Sequence, residues 1–120
     1  MTSEAPFGFL NIDKPRGITS HDVVARLRRV TGTRKIGHAG TLDPMATGVL
    51  VLCLGAATRL SEYVMASTKR YRAQVLLGVE TDSYDADGQV IATTDASHIT
   101  RADVERILPQ FAGEIAQLPP

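Results

Sequence analysis

The sequence has one cysteine, no tryptophan, three tyrosines and three phenylalanines. A lone thiol, Cys53, excludes an internal disulfide framework and supplies no paired metal ligand, so a reducing, cytoplasmic setting is expected. No apolar run approaches the ~20 residues that a membrane helix needs. Residues 1–10 lack the basic start and long apolar stretch of a secretory signal. No internal repeat or low-complexity tract is present. At 43% hydrophobic and 22% charged, the 120 residues suit one compact domain or part of one.

Net charge is zero, but the charges are divided. Residues 1–78 carry eleven Lys/Arg against five Asp/Glu, and residues 79–120 carry two against eight. A basic first part hints at an anionic partner, although solvated faces produce the same tally.

Gly8 to Asp13 reads as a short strand, stopped by Lys14-Pro15-Arg16-Gly17. Thr19 or Ser20 caps a helix with Asp22 in its first turn, Val23, Val24, Leu27 and Val30 on one face, Arg26, Arg28 and Arg29 over the other, and Gly32 at its end. Thr33 to Gly48 has little periodicity, and irregular stretches of this length tend to carry function. Val49 to Leu54 is continuously apolar, hence a strand covered on both faces, with Cys53 a small buried hydrophobe. Residues 56–65 suggest a second helix. Lys69 to Val79 alternates as a half-exposed strand does. Asp-rich residues 80–88 form a turn into a strand at Gln89 to Ala92, and Thr100 caps a helix that Pro109 bends or shortens. This order implies an α/β (α+β) domain with a mixed sheet and flanking helices. Residues 1–7 read as a loose start, and Leu118-Pro119-Pro120 as the abrupt close of a truncated chain.

The informative segment is Gly37-His38-Ala39-Gly40-Thr41-Leu42-Asp43-Pro44-Met45-Ala46-Thr47-Gly48. Its small residues let the backbone bend and a large ligand approach. Asp43 stands among apolar and small neighbours before a proline, a setting expected to desolvate the carboxylate in part and sharpen it as a nucleophile. An ordinary Asx turn before proline fits the same residues. A phosphate loop is excluded because no Gly-Lys-Ser/Thr follows the glycines. Neither His38 with Asp43, nor His21 or His98, gives metal-ligand spacing, and Asp82, Asp85 and Asp87-Gly88 miss the calcium-loop pattern. No metal and no cofactor are therefore expected. Tyr71, flanked by Lys69, Arg70 and Arg72, has the aromatic-among-cations pattern that stacks a nucleobase and holds its phosphates, but also that of a core tyrosine on an alternating strand.

Two strings, Gly8-Phe-Leu-Asn-Ile-Asp-Lys-Pro-Arg-Gly-Ile-Thr-Ser-His-Asp-Val-Val24 and Lys35-Ile-Gly-His-Ala-Gly-Thr-Leu-Asp-Pro-Met-Ala-Thr-Gly-Val-Leu50, closely resemble bacterial tRNA pseudouridine-55 synthases. The likeness continues through Gly55-Ala-Ala-Thr-Arg59, Lys69-Arg-Tyr71, Leu77-Gly-Val-Glu-Thr-Asp82 and Gln117-Leu-Pro-Pro120. It implies a pseudouridine-synthase-like, mainly antiparallel sheet, and a cofactor-free isomerase that converts the T-loop uridine of tRNA to pseudouridine. Asp43 matches the family's essential aspartate, and Tyr71 the active-site tyrosine that stacks on the flipped uracil and takes a proton from its carbon 5. His38 matches a histidine beside the RNA; Gly40, Thr41, Lys69 and Arg70 go with it as RNA-binding residues. Lys14 and Pro15 match a motif that braces the active-site loop. The resemblance further implies that residues 1–120 are the N-terminal portion of the catalytic domain. The rest of that domain, with an arginine that pairs with the aspartate, and a C-terminal RNA-binding domain would lie outside them. The expected partner is the T-arm stem-loop of tRNA, and the full-length form is expected to be a monomer. A non-catalytic tRNA-binding module on the same scaffold is the alternative.

Overall fold

The computed structural model describes residues 4–120, which divide between Arg70 and Tyr71 into two compact units. Of the loose start, residues 4–7 have no regular structure, and residues 1–3 lie outside the described residues.

The first unit is a three-stranded antiparallel sheet in the order β1-β3-β2 (β1 Gly8–Lys14, β2 Ile36–His38, β3 Gly48–Leu54). The central β3 pairs along its whole length with β1, from Gly8 opposite Leu54 to Lys14 opposite Gly48. Its other edge takes Ile36, Gly37 and His38 opposite Leu54, Cys53 and Leu52. Side chains alternate across a strand, so β3 supplies two cores. Leu50, Leu52 and Leu54 pack with Val23, Val24 and Ile36 on one face. Cys53 packs with Ala39 and Ala57 on the other, against half-buried Val51 and Val64. Burial pushes the Cys53 thiol pKa up, as for an inert core cysteine.

Helix α1 (Ser20–Thr31) covers the leucine face. Thr19 caps it through a reciprocal pair: its hydroxyl accepts from the Asp22 N–H at 3.0 Å, and the Asp22 carboxylate accepts from the Thr19 N–H at 2.9 Å. These bonds, the backbone one foremost, hold the Asp22 pKa below the ordinary value. Gly32 ends the helix in the left-handed conformation, its N–H donating to Arg28 O at 2.9 Å. Val23 and Val24 are buried and Leu27 partly so, but Val30 is 83% exposed. The covered face of α1 therefore runs from Val23 to Leu27, and its final turn extends past it.

The second predicted helix divides into a 3-10 turn, Gly55–Leu60, and a short α2, Ser61–Met65. The Thr58 hydroxyl donates to Gly55 O at 2.8 Å and that of Ser61 to Thr58 O at 2.9 Å. Such bonds to carbonyls three residues back favour the tighter winding.

The second unit holds an antiparallel pair, β4 (Val79–Thr81) and β5 (Val90–Thr93), and helix α3 (Arg101–Ile107). The acidic segment between the strands is a turn: the Asp85 carboxylate accepts from Ser83 Oγ at 2.7 Å and the Asp87 N–H at 3.0 Å, which lowers its pKa. Thr100 and Asp103 repeat the reciprocal cap of α1, and Pro109 falls in the 3-10 turn Leu108–Phe111 that follows α3. Of the strand expected over residues 69–79, only the last residue is in a ladder, Val79, which opens β4. Residues 68–76 are irregular, and Val75 and Leu76 are 78% and 76% exposed. Alternation marks a surface that can pair, but a ladder needs a second strand, and among the described residues none adds to this stretch. Every observed pairing is antiparallel, so the sheet is less mixed than the element order implies. Among the described residues no helix is long and apolar enough to cross a membrane.

Candidate active site

The loop from Ala39 to Thr47 connects β2 to β3, and its backbone is tied down on both sides of Asp43. Upstream, the Ser20 hydroxyl donates to Leu42 O at 3.0 Å and accepts the Leu42 N–H at 2.9 Å. Downstream, Pro44 O accepts from the Gly17 N–H at 2.7 Å and from Lys14 Nζ at 3.2 Å. Within the loop the Ala46 N–H donates to Asp43 O at 2.9 Å, closing a turn. The Leu42 side chain packs against the leucine face of the sheet. Asp43 is thus a short span between two fixed points.

Lys14 is wholly buried, yet among the described residues its ammonium forms no ion pair. It donates instead to three carbonyls: Pro15 O and Ile18 O, each at 2.8 Å, and Pro44 O. A buried charge is tolerable only with its donors satisfied, and three acceptors match three protons. Pro15, itself exposed, begins the turn that brings Ile18 O back to the lysine.

On the other flank, β2 delivers His38. Its Nδ1 lies 3.1 Å from Gly40 O, so that nitrogen carries the proton and donates. Gly40 adopts φ +113°, a conformation that side-chain-bearing residues rarely enter, and a Cβ there would meet Lys69 Cε at 3.4 Å. Lys69 therefore lies across the loop while its ammonium caps α2, donating to the Met65 and Ser67 carbonyls. Thr41, Arg70 and Tyr71 are exposed, the tyrosine at 68%. Tyr71 belongs to the second unit and stands on irregular chain rather than on the expected strand.

The Asp43 side chain is exposed, which corrects the expectation of a partly desolvated carboxylate. Small neighbours in sequence do not bury an acid that opens an exposed turn, with Pro44 and Met45 at its centre. No ion pair involves it among the described residues. Nor, among them, does any group of three His, Cys, Asp or Glu side chains form a metal cluster. Of the helix arginines, Arg28 is occupied, donating to Arg34 O and Ile36 O at 3.0 Å each and so fastening α1 to β2. Ser20 and Gly17 escaped the sequence reading as site residues, because a buried hydroxyl bridging 22 positions leaves no periodic or motif signal.

Residues 28–120 match the family described as TruB family pseudouridylate synthase (N terminal domain). The chain belongs to the TruB family. Similar TruB relatives include the tRNA pseudouridine synthase B of Symbiobacterium thermophilum, 56% identical over 113 residues, covering 94% of this chain and 38% of the relative. That of Synechocystis sp. (strain PCC 6803) is 52% identical over 114 residues, covering 95% and 38%. The chain thus spans little more than a third of the length of these curated relatives. In the solved crystal structure of a Cbf5-Nop10-Gar1 complex, one chain superposes with a TM-score of 0.62 at 31% identity, covering 95% of this chain and 29% of that one. The α/β architecture with antiparallel sheets is therefore that of a TruB-type pseudouridine synthase.

Proposed function

We propose that this TruB-family chain supplies the catalytic aspartate of a tRNA pseudouridine synthase acting on the T-loop uridine, position 55, in the cytoplasm, as a monomer and without cofactor. The reaction breaks the bond from N1 of uracil to C1′ of ribose, turns the base, and joins C5 to C1′. The proton lost from C5 balances the one gained at N1, so the atoms are conserved and no redox partner is required.

The carrying observation is the two-sided tether of the Asp43 loop. A group aimed at a reacting carbon must be held within fractions of an ångström, and backbone bonds to Leu42 and Pro44 do this without occupying the carboxylate. Asp43 either attacks the nucleotide covalently or assists an elimination route. Tyr71 stacks on the extruded uracil and receives the C5 proton. His38, Gly40, Thr41, Lys69 and Arg70 meet the RNA backbone, while Lys14 and Pro15 hold the loop. Extruding the base costs a few kcal/mol, which stacking and polar contacts offset.

One observation favours a second reading. Exposed and without a cationic partner among the described residues, Asp43 suits equally a tRNA-binding module that does no chemistry. Asp43→Asn separates the two in the whole protein on a T-arm stem-loop. Pseudouridine formation is expected to fall by at least about 10³-fold, in the range seen when a nucleophile or base is removed, with binding changed less than about threefold. No turnover in the parent protein rejects the isomerase in favour of the binding module, and unchanged turnover in Asp43→Asn rejects the aspartate as the catalytic group.

A further inference from the structure

We infer that Ser20 is a positioning residue for the aspartate chemistry, acting through the backbone of Leu42; this rests on the isomerase reading above. Ser20 is the first residue of α1 and only 2% exposed. Its position does not depend on its own hydroxyl, since the Thr19–Asp22 cap beside it fixes the start of the helix. That hydroxyl is therefore free to serve another segment, and both of its bonds go to one residue 22 positions away.

The geometry of that pair matters. The Leu42 N–H belongs to the peptide entering Leu42, and its carbonyl belongs to the peptide that leads into Asp43. Holding both groups on one oxygen fixes φ and ψ of Leu42 together, and with them the direction in which the chain presents Asp43. No hydrogen bond or ion pair within the described residues aims the carboxylate itself, so its aim is inherited from the backbone. Downstream, Pro44 O has two donors, Gly17 and Lys14, and loss of one leaves the other. Upstream, Ser20 supplies the only hydrogen bonds to Leu42 among the described residues, beside the packing of its side chain. At 2% exposure Ser20 offers no surface for direct contact with the RNA, so its effect belongs on turnover rather than on substrate binding.

The test compares Ser20→Ala, Ser20→Thr and Asp43→Asn in the whole protein, on the same T-arm stem-loop. A misplacement near 1 Å costs about 10²-fold, so Ser20→Ala is expected to lower kcat by about 10- to 100-fold with KM changed less than about threefold. Ser20→Thr keeps the hydroxyl and is expected to retain kcat within about threefold of the parent. Amide exchange reports the structure independently: in Ser20→Ala the Leu42 amide is expected to exchange at least about tenfold faster, with β3 amides unchanged. Wild-type kcat in Ser20→Ala, while Asp43→Asn is inactive, overturns the inference and spares the isomerase reading. Should Ser20→Ala lose β3 protection, Ser20→Thr decides: restored kcat supports positioning, and a folded but inactive threonine variant defeats it. Activity surviving in Asp43→Asn defeats the reading on which the inference stands.

Discussion

At the residue scale, the unusual feature is a buried lysine with no counter-ion among the described residues. Lys14 pairs its charge with three carbonyl dipoles from two segments, Pro15 and Ile18 on one side and Pro44 on the other. Hydrogen bonds to charged groups contribute more than neutral ones, and each loses its donor when the ammonium is removed. Lys14→Met preserves most of the stem's volume and deletes the charge. It is expected to lower unfolding free energy by about 2–4 kcal/mol, read as a fall in denaturant midpoint at unchanged slope. The same variant frees one of the two holds on Pro44, so turnover is expected to drop along with stability. Lys14 was legible from the motif alone, but its depth was not. A lysine at a strand end is ordinarily exposed, and only the return of the Asp43 loop over β1 closes water out.

At the scale of elements, local rules decided the helices and failed on one strand. Both α1 and α3 begin with a threonine and an aspartate three residues on, and both form the full reciprocal cap. The caps depress the pKa of Asp22 and Asp103, chiefly through backbone donors at Thr19 and Thr100. A carboxylate with a lowered folded-state pKa contributes stability that is present above its unfolded pKa and lost as pH falls through the folded one. Helical circular dichroism is therefore expected to hold down to about pH 4 and decline below it. Thr19→Ala, which removes one half of the first cap, is expected to cost about 1 kcal/mol and to flatten part of that acid dependence. The strand expected over residues 69–79 shows the opposite case. Lys69 and the alternating residues after it have a strand's pattern, yet Lys69 curls back to cap α2 and residues 70–76 are irregular, with ladder pairing beginning only at Val79. Caps are satisfied within four residues of sequence, whereas a ladder depends on a partner that the pattern cannot name.

At the scale of the whole molecule, the division of charge follows the division of structure. The unit of residues 1–70 holds ten Lys/Arg against five acids, and that of residues 71–120 holds three against eight. On the function proposed above, an RNA partner is expected to meet the first unit, where the Asp43 loop lies. If three to five phosphates are neutralised there, the association constant for a T-arm stem-loop is expected to fall roughly 40- to 500-fold between 50 and 200 mM salt. A filter-binding series against salt measures that slope, and a flat line removes the first unit as an RNA surface. Charge reversal in the second unit is expected to leave the slope unchanged.

The sequence by itself determined the helix starts at Thr19 or Ser20 and at Thr100, the stop at Gly32, the acidic turn at Asp85 and the doubly covered strand around Cys53. Each depends on propensity, hydrogen bonds or apolar runs over a few neighbouring residues. The motif around Asp43 likewise announced the family before any coordinates did. Tertiary structure alone decided that Asp43 stands exposed, that Val30 lacks cover, that His38 rides on a short edge strand, and that Ser20 grips Leu42. These depend on contacts between segments far apart in sequence, where the identity of a residue says what it can bond to but not what folding brings within reach.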